Sequence, residues 1–383
     1  MAAKRIVILG AGTGGLVAAH RLRRMLDKEH RVILVDRSPV YSFAPSFTWV
    51  MLGTRGARRI SRDLRSVQKK GIEFLLGEVQ AIDPATKQVI VSERPIDFDY
   101  LIVALGADYF SDEIPGLGQC WTFYHIEGAE GLHERLETFA SGRVAIVVSS
   151  LPTKCPAAPY EGALLIDDYF RRRRLRHDID IHVYTPEPAP LPSAGPTAVE
   201  PVLELLSSRE IGFTPGCALA EIDQRSNEMK FSDGGAASFD LLIATPVHTC
   251  PAVLRHSGLA GARGWVAVDR ETLATGFADV YAIGDATEIP LSDDRTLPKA
   301  GVFAHGQAEV VSRNIAAEIA GGQPIWAFGG QGNRFLSTEA GKAAMISGNF
   351  FTEPEPDVKV RGPNRRWHWA KVGFERLWLW RWF

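Results

Sequence analysis

One cysteine of this 383-residue chain stands among side chains that could make it react. Lys154, Cys155 and Pro156 lie in a proline-broken loop that leads through Pro159 and Tyr160 to Glu161, where a helical pattern begins and runs to about Phe170. A thiol beside a lysine and just ahead of a helix N-terminus ionises more readily than a free one, and the thiolate is the nucleophile. The plain alternative is a buried, inert cysteine. Glu161 admits two readings: a general base made more basic by a dry pocket, or a carboxylate that stabilises the first turn of its own helix.

A second constellation grips phosphate. Ile6 to Leu9 is an apolar run of strand length that breaks into Gly10-x-Gly12-x-x-Gly15, and Leu16, Ala19, Leu22 and Leu26 fall on one face of the next helix. Gly10 permits the tight turn, Gly12 lets the backbone approach a pyrophosphate, and Gly15 lets the helix pack close to the strand. The next strand, Arg31 to Val35, ends on Asp36, where a carboxylate is expected to bind an adenosine ribose. Arg143 to Val148 is a strand placed where a second cradle of this kind would hold NAD(P)H. The loop after this strand contains Pro152, Pro156 and Pro159, which remove backbone donors, and side chains where glycine would admit a phosphate. The loop around Cys155 is therefore read as unable to grip a nicotinamide dinucleotide.

The elements that carry these residues need more than one ordinary domain, and the length allows at least two cores. Hydrophobic residues at 45%, charged residues at 23% and a formal net charge of -2 describe a globular protein with no general attraction for nucleic acid. No apolar run is long enough to span a bilayer, and the first strand begins close to Met1, so a cytoplasmic chain without a signal peptide is expected. Cys120, Cys155, Cys217 and Cys250 are scattered and show no zinc spacing, so no metal site is expected. Tyr41 to Trp49 suits either the floor of a flat cofactor ring or plain core packing. Arg58, Arg59 and Arg62 read as a solvated helix face, and Arg171 to Arg174 as a solvated helix C-terminus. Ile72 to Val91 reads as an antiparallel insertion of short strands, and Pro186 to Pro201 as a loop. His125, His248 and His305 read as structural.

Phe98 to Asp108 is a buried strand ending in a turn at Gly106, and Val280 to Ile283 is another, ending in Gly284-Asp285. With the N-terminal glycines, these strands resemble the pyridine-nucleotide disulfide oxidoreductase superfamily over nearly the whole chain. The resemblance implies an α/β fold with two Rossmann-like βαβ domains of parallel sheet, the second inserted in the first. Residues 1–108 and 247–322 would form the FAD-binding domain, residues 109–246 an inserted NAD-like domain without a functional NAD grip, and residues 323–383 a C-terminal segment. It also implies FAD contacts from Gly10, Gly12, Gly14, Gly15, Asp36, Pro45, Ser46, Val79, Ala104, Gly106, Gly284, Asp285, Lys299 and Ala300.

Two strings narrow the resemblance. Lys154-Cys155-Pro156-Ala157-Ala158-Pro159-Tyr160-Glu161 and Leu297-Pro298-Lys299-Ala300-Gly301-Val302-Phe303-Ala304-His305 are similar to the sulfide-oxidising branch, the sulfide:quinone oxidoreductases and the flavoprotein subunit of flavocytochrome c sulfide dehydrogenase. In that branch the cysteine lies beside the isoalloxazine and carries sulfur chemistry, while the lysine of the second string approaches the pyrimidine end of the flavin near the quinone. The resemblance implies Cys155 and Lys299 for these roles. One departure stands out: the partner cysteine of the branch lies late in the chain in a Gly-x-Cys-Phe motif, and here Gly332-Asn333-Arg334-Phe335 puts Arg334 at that place. Cys120 remains as a rescue partner. Without any partner Cys155 can still accept sulfur as a persulfide, because nucleophilicity needs only the thiolate.

The stretch from Arg361 to Phe383 holds Trp367, Trp369, Trp378, Trp380 and Trp382 interleaved with Arg365, Arg366, Lys371, Arg376 and Arg381. Such a helix suits a lipid headgroup layer and would lie on a membrane without crossing it. The alternative is packing against its own domain or a second subunit, which leaves a homo-oligomer open. The expected function is an FAD-dependent oxidoreductase that takes electrons from sulfide or a related reduced sulfur species at Cys155 and passes them to a membrane quinone, peripheral on the inner face of the membrane. Two alternatives stand beside it. One is a quinone reductase fed by another donor such as NAD(P)H, with Cys155 structural and Arg334 binding an anion. The other is a flavin-bearing electron-transfer protein that has lost its cysteine pair.

Overall fold

The computed structural model describes residues 2–110, 112–292 and 295–383. Arg5–Leu9 is the middle strand of a five-stranded parallel sheet. Arg31–Asp36 and then Glu73–Leu76 lie on one side of it, and Tyr100–Val103 and then Val280–Ala282 on the other. Strands covered on both faces need continuous apolar runs rather than alternation, which is how Ile6 to Leu9 reads. Ile6, Ile8, Val32 and Leu34 face a core shared with the helices Thr13–Met25 and Gly301–Ile319. Val7, Leu9, Ile33 and Val35 face a core shared with Ile82, Val89 and Val91 of a three-stranded antiparallel sheet, Val79–Asp83, Gln88–Val91 and Arg94–Asp97.

A second parallel sheet, in the order Ile211–Thr214, Ile179–Tyr184, Gly142–Val147 and Leu241–Ala244, lies wholly between the fourth and fifth strands of the first in chain order. The molecule is thus an α/β protein of two Rossmann-like sheets, the second inserted in the first. Residues 331–381 add an antiparallel sheet, Gln331–Glu339, Lys342–Asn349 and Asp357–Asn364, and a helix, Arg365–Arg381, whose N-terminus is capped by the Asn364 side chain.

Three details differ from the sequence reading. Glu73–Leu76 is an edge of the parallel sheet and not part of the antiparallel insertion, which begins at Val79. The helix after Cys155 spans Ala158–Arg172, starting three residues earlier, because Pro159 falls in the first turn where its missing N–H costs nothing. The second half of the stretch from Pro186 to Pro201 is helical, Pro196–Ser207, again opened by a first-turn proline.

The tryptophan-rich helix splits its rings between two faces. Lys371, Val372, Glu375, Trp378 and Leu379 form the buried stripe expected of a helix lying on a core. Phe43 lies 6.0 Å from Trp378, and Tyr41 lies 5.2 Å from Phe383, so the aromatic segment after Asp36 is the seat of this helix. Trp369, Phe374, Leu377 and Trp380 point to solvent, Trp380 with 75% of its surface exposed. Lys371, read from sequence as one of the outward basic residues, is buried.

The inserted domain is fastened at Asp167. This carboxylate is fully buried and accepts hydrogen bonds from Arg171, Arg176 and Arg209, and Arg209 also reaches Glu339 in the C-terminal sheet. Removing the acceptor leaves a buried gap and takes from three guanidinium groups the carboxylate they share. Asp167→Ala should lower the unfolding free energy by about 3–5 kcal/mol in urea denaturation, whereas Arg172→Ala, at the half-exposed pair with Asp168, should cost less than about 1 kcal/mol.

Candidate active site

Cys155 is held by main chain on both sides. Its N–H donates to the carbonyl of Lys299 at 2.7 Å, and its carbonyl accepts from Ala158 N–H at 2.7 Å. The residue itself sits in left-handed conformation, φ 54°, which for a residue with a side chain stores about 1–3 kcal/mol of strain. That turn presents the thiol to the strand Gln331–Glu339, where an Nη of Arg334 donates to the sulfur at 3.1 Å. The late position read from sequence as the place of a partner cysteine therefore does lie against Cys155, and a guanidinium occupies it. Charge on the sulfur is well matched by a cation at this distance. Lys154 turns the other way, its Nζ 3.7 Å from Asp285 Oδ2.

Cys120 is no substitute partner. Its sulfur contacts Gln224 Nε2 at 3.4 Å and Gly116 O at 3.6 Å, burial pushes its thiol up to about 12, and all four cysteines are free. Glu161 is likewise not free to face the sulfur. Its carboxylate pairs with Lys371 Nζ at 2.5 Å and accepts from Thr48 Oγ1 at 3.2 Å, both partners being buried. One helical turn on, Glu375 accepts from Ser46 Oγ at 2.6 Å and from Arg55 Nε at 3.0 Å. Ser46 thus directs its hydroxyl to the C-terminal helix, and Pro45 shares the same short turn, Ala44–Ser46.

The glycine cradle has the shape its spacing predicts. A side chain at Gly10 would stand 2.3 Å from Ala104 O, and one at Gly15 would stand 1.8 Å from Gly10 O, so both approaches require glycine. A side chain at Gly12 would meet nothing within 4 Å, which leaves that backbone open to a ligand. The Asp36 carboxylate accepts from Ala11 N–H at 2.6 Å and Ser38 N–H at 2.8 Å, fixing its direction at the end of its strand. Helix Thr13–Met25 has no side-chain cap at its N-terminus, and neither has Gly301–Ile319, which starts beside it: a side chain at Gly301 would stand 3.2 Å from Thr13 Oγ1. Two uncapped N-termini side by side make a site for a diphosphate. Gly284, Lys299 and Ala300 line one small cleft with Gln307, and Asp285 Oδ1 is buried with no partner among the described residues. Gly106 is open on its Cβ side, Gly14 packs on Ile283, and Val79 starts the antiparallel sheet. These features fit an FAD.

Lys299 holds the two regions together rather than projecting into the open cradle. Its ammonium donates to the carbonyls of Asp285 and Thr287, both at 2.8 Å, and lies 3.4 Å from the centroid of the Trp265 ring; burial lowers it to about 8. The loop that replaces the second cradle has few donors to offer. Pro152, Pro156 and Pro159 have none, while the N–H groups of Ser149, Cys155 and Ala158 are already committed to Thr245, Lys299 and Cys155. His125 caps its own helix through Nδ1, and His305 lies beside Glu309 and Trp378, both structural settings.

Three neighbours of the site are not assigned to it by the sequence, which reads His248 as structural. Tyr124 and His248 pack edge to face at 5.5 Å near Cys155, with His248 brought down to about 3 by burial and by Lys154. The third, Glu187, opens into a cleft of about 480 Å³ that also exposes Pro156, Phe303, Arg334 and Phe350. None of these lies in a periodic pattern or a spaced motif.

Two nested nucleotide-type sheets, one glycine cradle and a cysteine loop in place of the second define a two-dinucleotide-domain oxidoreductase. The chain belongs to the pyridine nucleotide-disulphide oxidoreductase family, whose profile matches residues 4–308. It is 25% identical over 366 residues to the mitochondrial sulfide:quinone oxidoreductase of Mus musculus, covering 91% of this chain and 79% of that one. It is 27% identical over 392 residues to the alternative NAD(P)H-ubiquinone oxidoreductase C1 of Arabidopsis thaliana, covering 90% of this chain and 73% of the relative. Its fold matches the X-ray structure of the sulfide:quinone oxidoreductase from the hyperthermophilic bacterium Aquifex aeolicus with a TM-score of 0.89 at 22% identity, over 99% of this chain and 91% of that one.

Glu187 gives the site a measurable signature. Burial pushes its carboxyl from the usual 4.5 up to about 7, with Tyr160 OH donating to it at 3.1 Å. Between those values the folded protein keeps a proton that the unfolded chain has lost, so stability falls as pH rises from 4.5 to 7, by about 3 kcal/mol in full. Glu187→Gln should remove that slope: the variant should be more stable than the parent at pH 8 and no more stable at pH 4.5, read from urea midpoints.

Proposed function

We propose that this protein is a flavoprotein that oxidises sulfide, or a closely related reduced sulfur species, at Cys155 and reduces a membrane quinone. The carrying observation is the contact between the Cys155 sulfur and Arg334, at the end of a loop that has exchanged a dinucleotide cradle for a thiol. The names of the Mus musculus and Aquifex aeolicus relatives support the same donor and acceptor. FAD, when bound, supplies the two-electron redox chemistry. Gly12 and the two uncapped helix N-termini would hold its diphosphate, Asp36 its ribose, and Asp285 its ribityl chain.

The residues around it have separable tasks. Cys155 supplies the attacking sulfur, and Arg334 stabilises negative charge there. Lys299 and Lys154 fix the carbonyl and carboxylate of Asp285. Glu161 and Lys371 neutralise each other and anchor the C-terminal helix. Cys155→Ser should therefore abolish bleaching of the visible flavin band by sulfide under anaerobic conditions, with the bound flavin and its spectrum retained. Bleaching that survives the substitution would overturn sulfur chemistry at this residue.

A second reading, with NAD(P)H as the donor, is favoured by the Arabidopsis thaliana relative's name. The scarcity of donors in the cysteine loop weighs against it. An anaerobic titration with NADH alone should leave the flavin oxidised, and prompt bleaching would favour this second reading.

The exposed face of the C-terminal helix, Trp369, Phe374, Leu377 and Trp380 with Arg376 beside them, is proposed as the membrane contact. Among the described residues no helix is long and apolar enough to cross a membrane. Replacing Trp369, Leu377 and Trp380 together by serine should abolish co-sedimentation with anionic phospholipid vesicles without lowering the melting temperature, because none of the three is part of the buried stripe.

A further inference from the structure

Cys155 has more donors beside it than its own sulfur uses. Arg334 reaches the sulfur through one Nη, and its Nε–H is buried without an acceptor among the described residues. The hydroxyl of Tyr124 is close to the same state: the residue is 8% exposed, its oxygen is buried with no partner within hydrogen-bond distance among the described residues, Thr153 being the side chain that acts on it, and it senses the charge of both Cys155 and Arg334. Burial, reinforced by Cys155, holds this phenol well above its ordinary value of 10, so it remains an O–H donor. Nearby, Lys154 lies 3.7 Å from Asp285 and also senses the charge of Cys155, while His248 is neutral near physiological pH.

Buried donors without acceptors are costly, and two of them beside one nucleophile mark a place for an acceptor atom. An atom bonded to Cys155 itself, about 2 Å beyond Sγ, satisfies that requirement without any second cysteine. We propose that Arg334 and Tyr124 form a binding site for the outer sulfur of a persulfide on Cys155, so that one cysteine carries the sulfur atom through the oxidation. The inference rests on the sulfide reading above and assigns its product-holding residues. In the step, HS⁻ and the Cys155 thiolate form one S–S bond as the S–H bond breaks, giving Cys155–S–S⁻, one proton and two electrons. The two electrons, with two protons, convert the quinone to its quinol. The outer sulfur keeps its negative charge, which Arg334 Nε–H and Tyr124 O–H receive.

The test uses the full-length flavin-loaded protein under anaerobic conditions with one equivalent of sulfide and a short-chain ubiquinone analogue. After alkylation with iodoacetamide, peptide mass spectrometry reads whether Cys155 carries one additional sulfur and how long it persists. The parent protein should show the single-sulfur adduct at Cys155. In Tyr124→Phe and Arg334→Gln, whatever adduct forms should decay about tenfold faster or more, the loss expected for one charge-assisted hydrogen bond, and Arg334→Lys should fall between. A parent protein whose flavin bleaches with sulfide while Cys155 never gains sulfur overturns the proposal and leaves the sulfide reading standing; this arm needs no variant. Equal adduct lifetimes in the parent, Tyr124→Phe and Arg334→Gln also overturn it. A flavin that sulfide does not bleach overturns the sulfide reading itself.

Discussion

The hydrogen bond from Cys155 N–H to Lys299 O is the join on which the site depends, because it ties the loop of the inserted domain to the connection that leads into helix Gly301–Ile319. The bond does more than add its own free energy, typically about 1 kcal/mol. It holds a residue in a conformation that a side chain disfavours, and in that conformation the sulfur meets Arg334. The same connection holds Asp285 from the other side, since the Lys299 ammonium takes the Asp285 carbonyl while Lys154 approaches its carboxylate. Five residues from three distant parts of the chain therefore meet around one short parallel pairing, Lys154 beside Lys299.

The two halves of the fold show how far shared architecture can diverge. Both sheets are parallel and both have a helix after a strand at the place where a phosphate would dock. In the first, glycine brings helix and strand so close that any side chain would collide with a carbonyl oxygen. In the second, prolines and internally bonded amides occupy the corresponding turn, and the helix begins with a carboxylate in its first turn. The difference lies wholly in loop chemistry, since the strands beneath are equally apolar and equally buried.

The parts of this molecule legible in its sequence are those governed by local rules. Gly10, Gly12 and Gly15 announce the cradle because each answers a steric demand of neighbouring residues, and the apolar strands announce the sheets because burial on two faces leaves no other composition. The position of Arg334 was legible only through a resemblance to related motifs; its contact with Cys155 spans 179 residues, beyond any periodicity. Lys371 has the sequence surroundings of a surface cation among aromatic neighbours, and only the burial of Glu161 against it, 210 residues away, makes it an internal one. Glu187 and Tyr124 gave no signal, since a single buried polar side chain leaves no pattern. Cys120 fails as a partner for the converse reason: a thiol has no sequence mark that separates a redox partner from a small core residue packed near Gln224.

The order of these pieces along the chain has a consequence for biosynthesis. The cradle glycines emerge first from the ribosome, the thiol near mid-chain, and the strand bearing Arg334 and the helix bearing Lys371 towards the end. Throughout that interval the nascent polypeptide already carries Cys155 and Glu161 without Arg334 and Lys371, their partners in the folded chain. The surroundings of Cys155 are thus completed last, when the strand that carries Arg334 docks against a loop made 179 residues earlier.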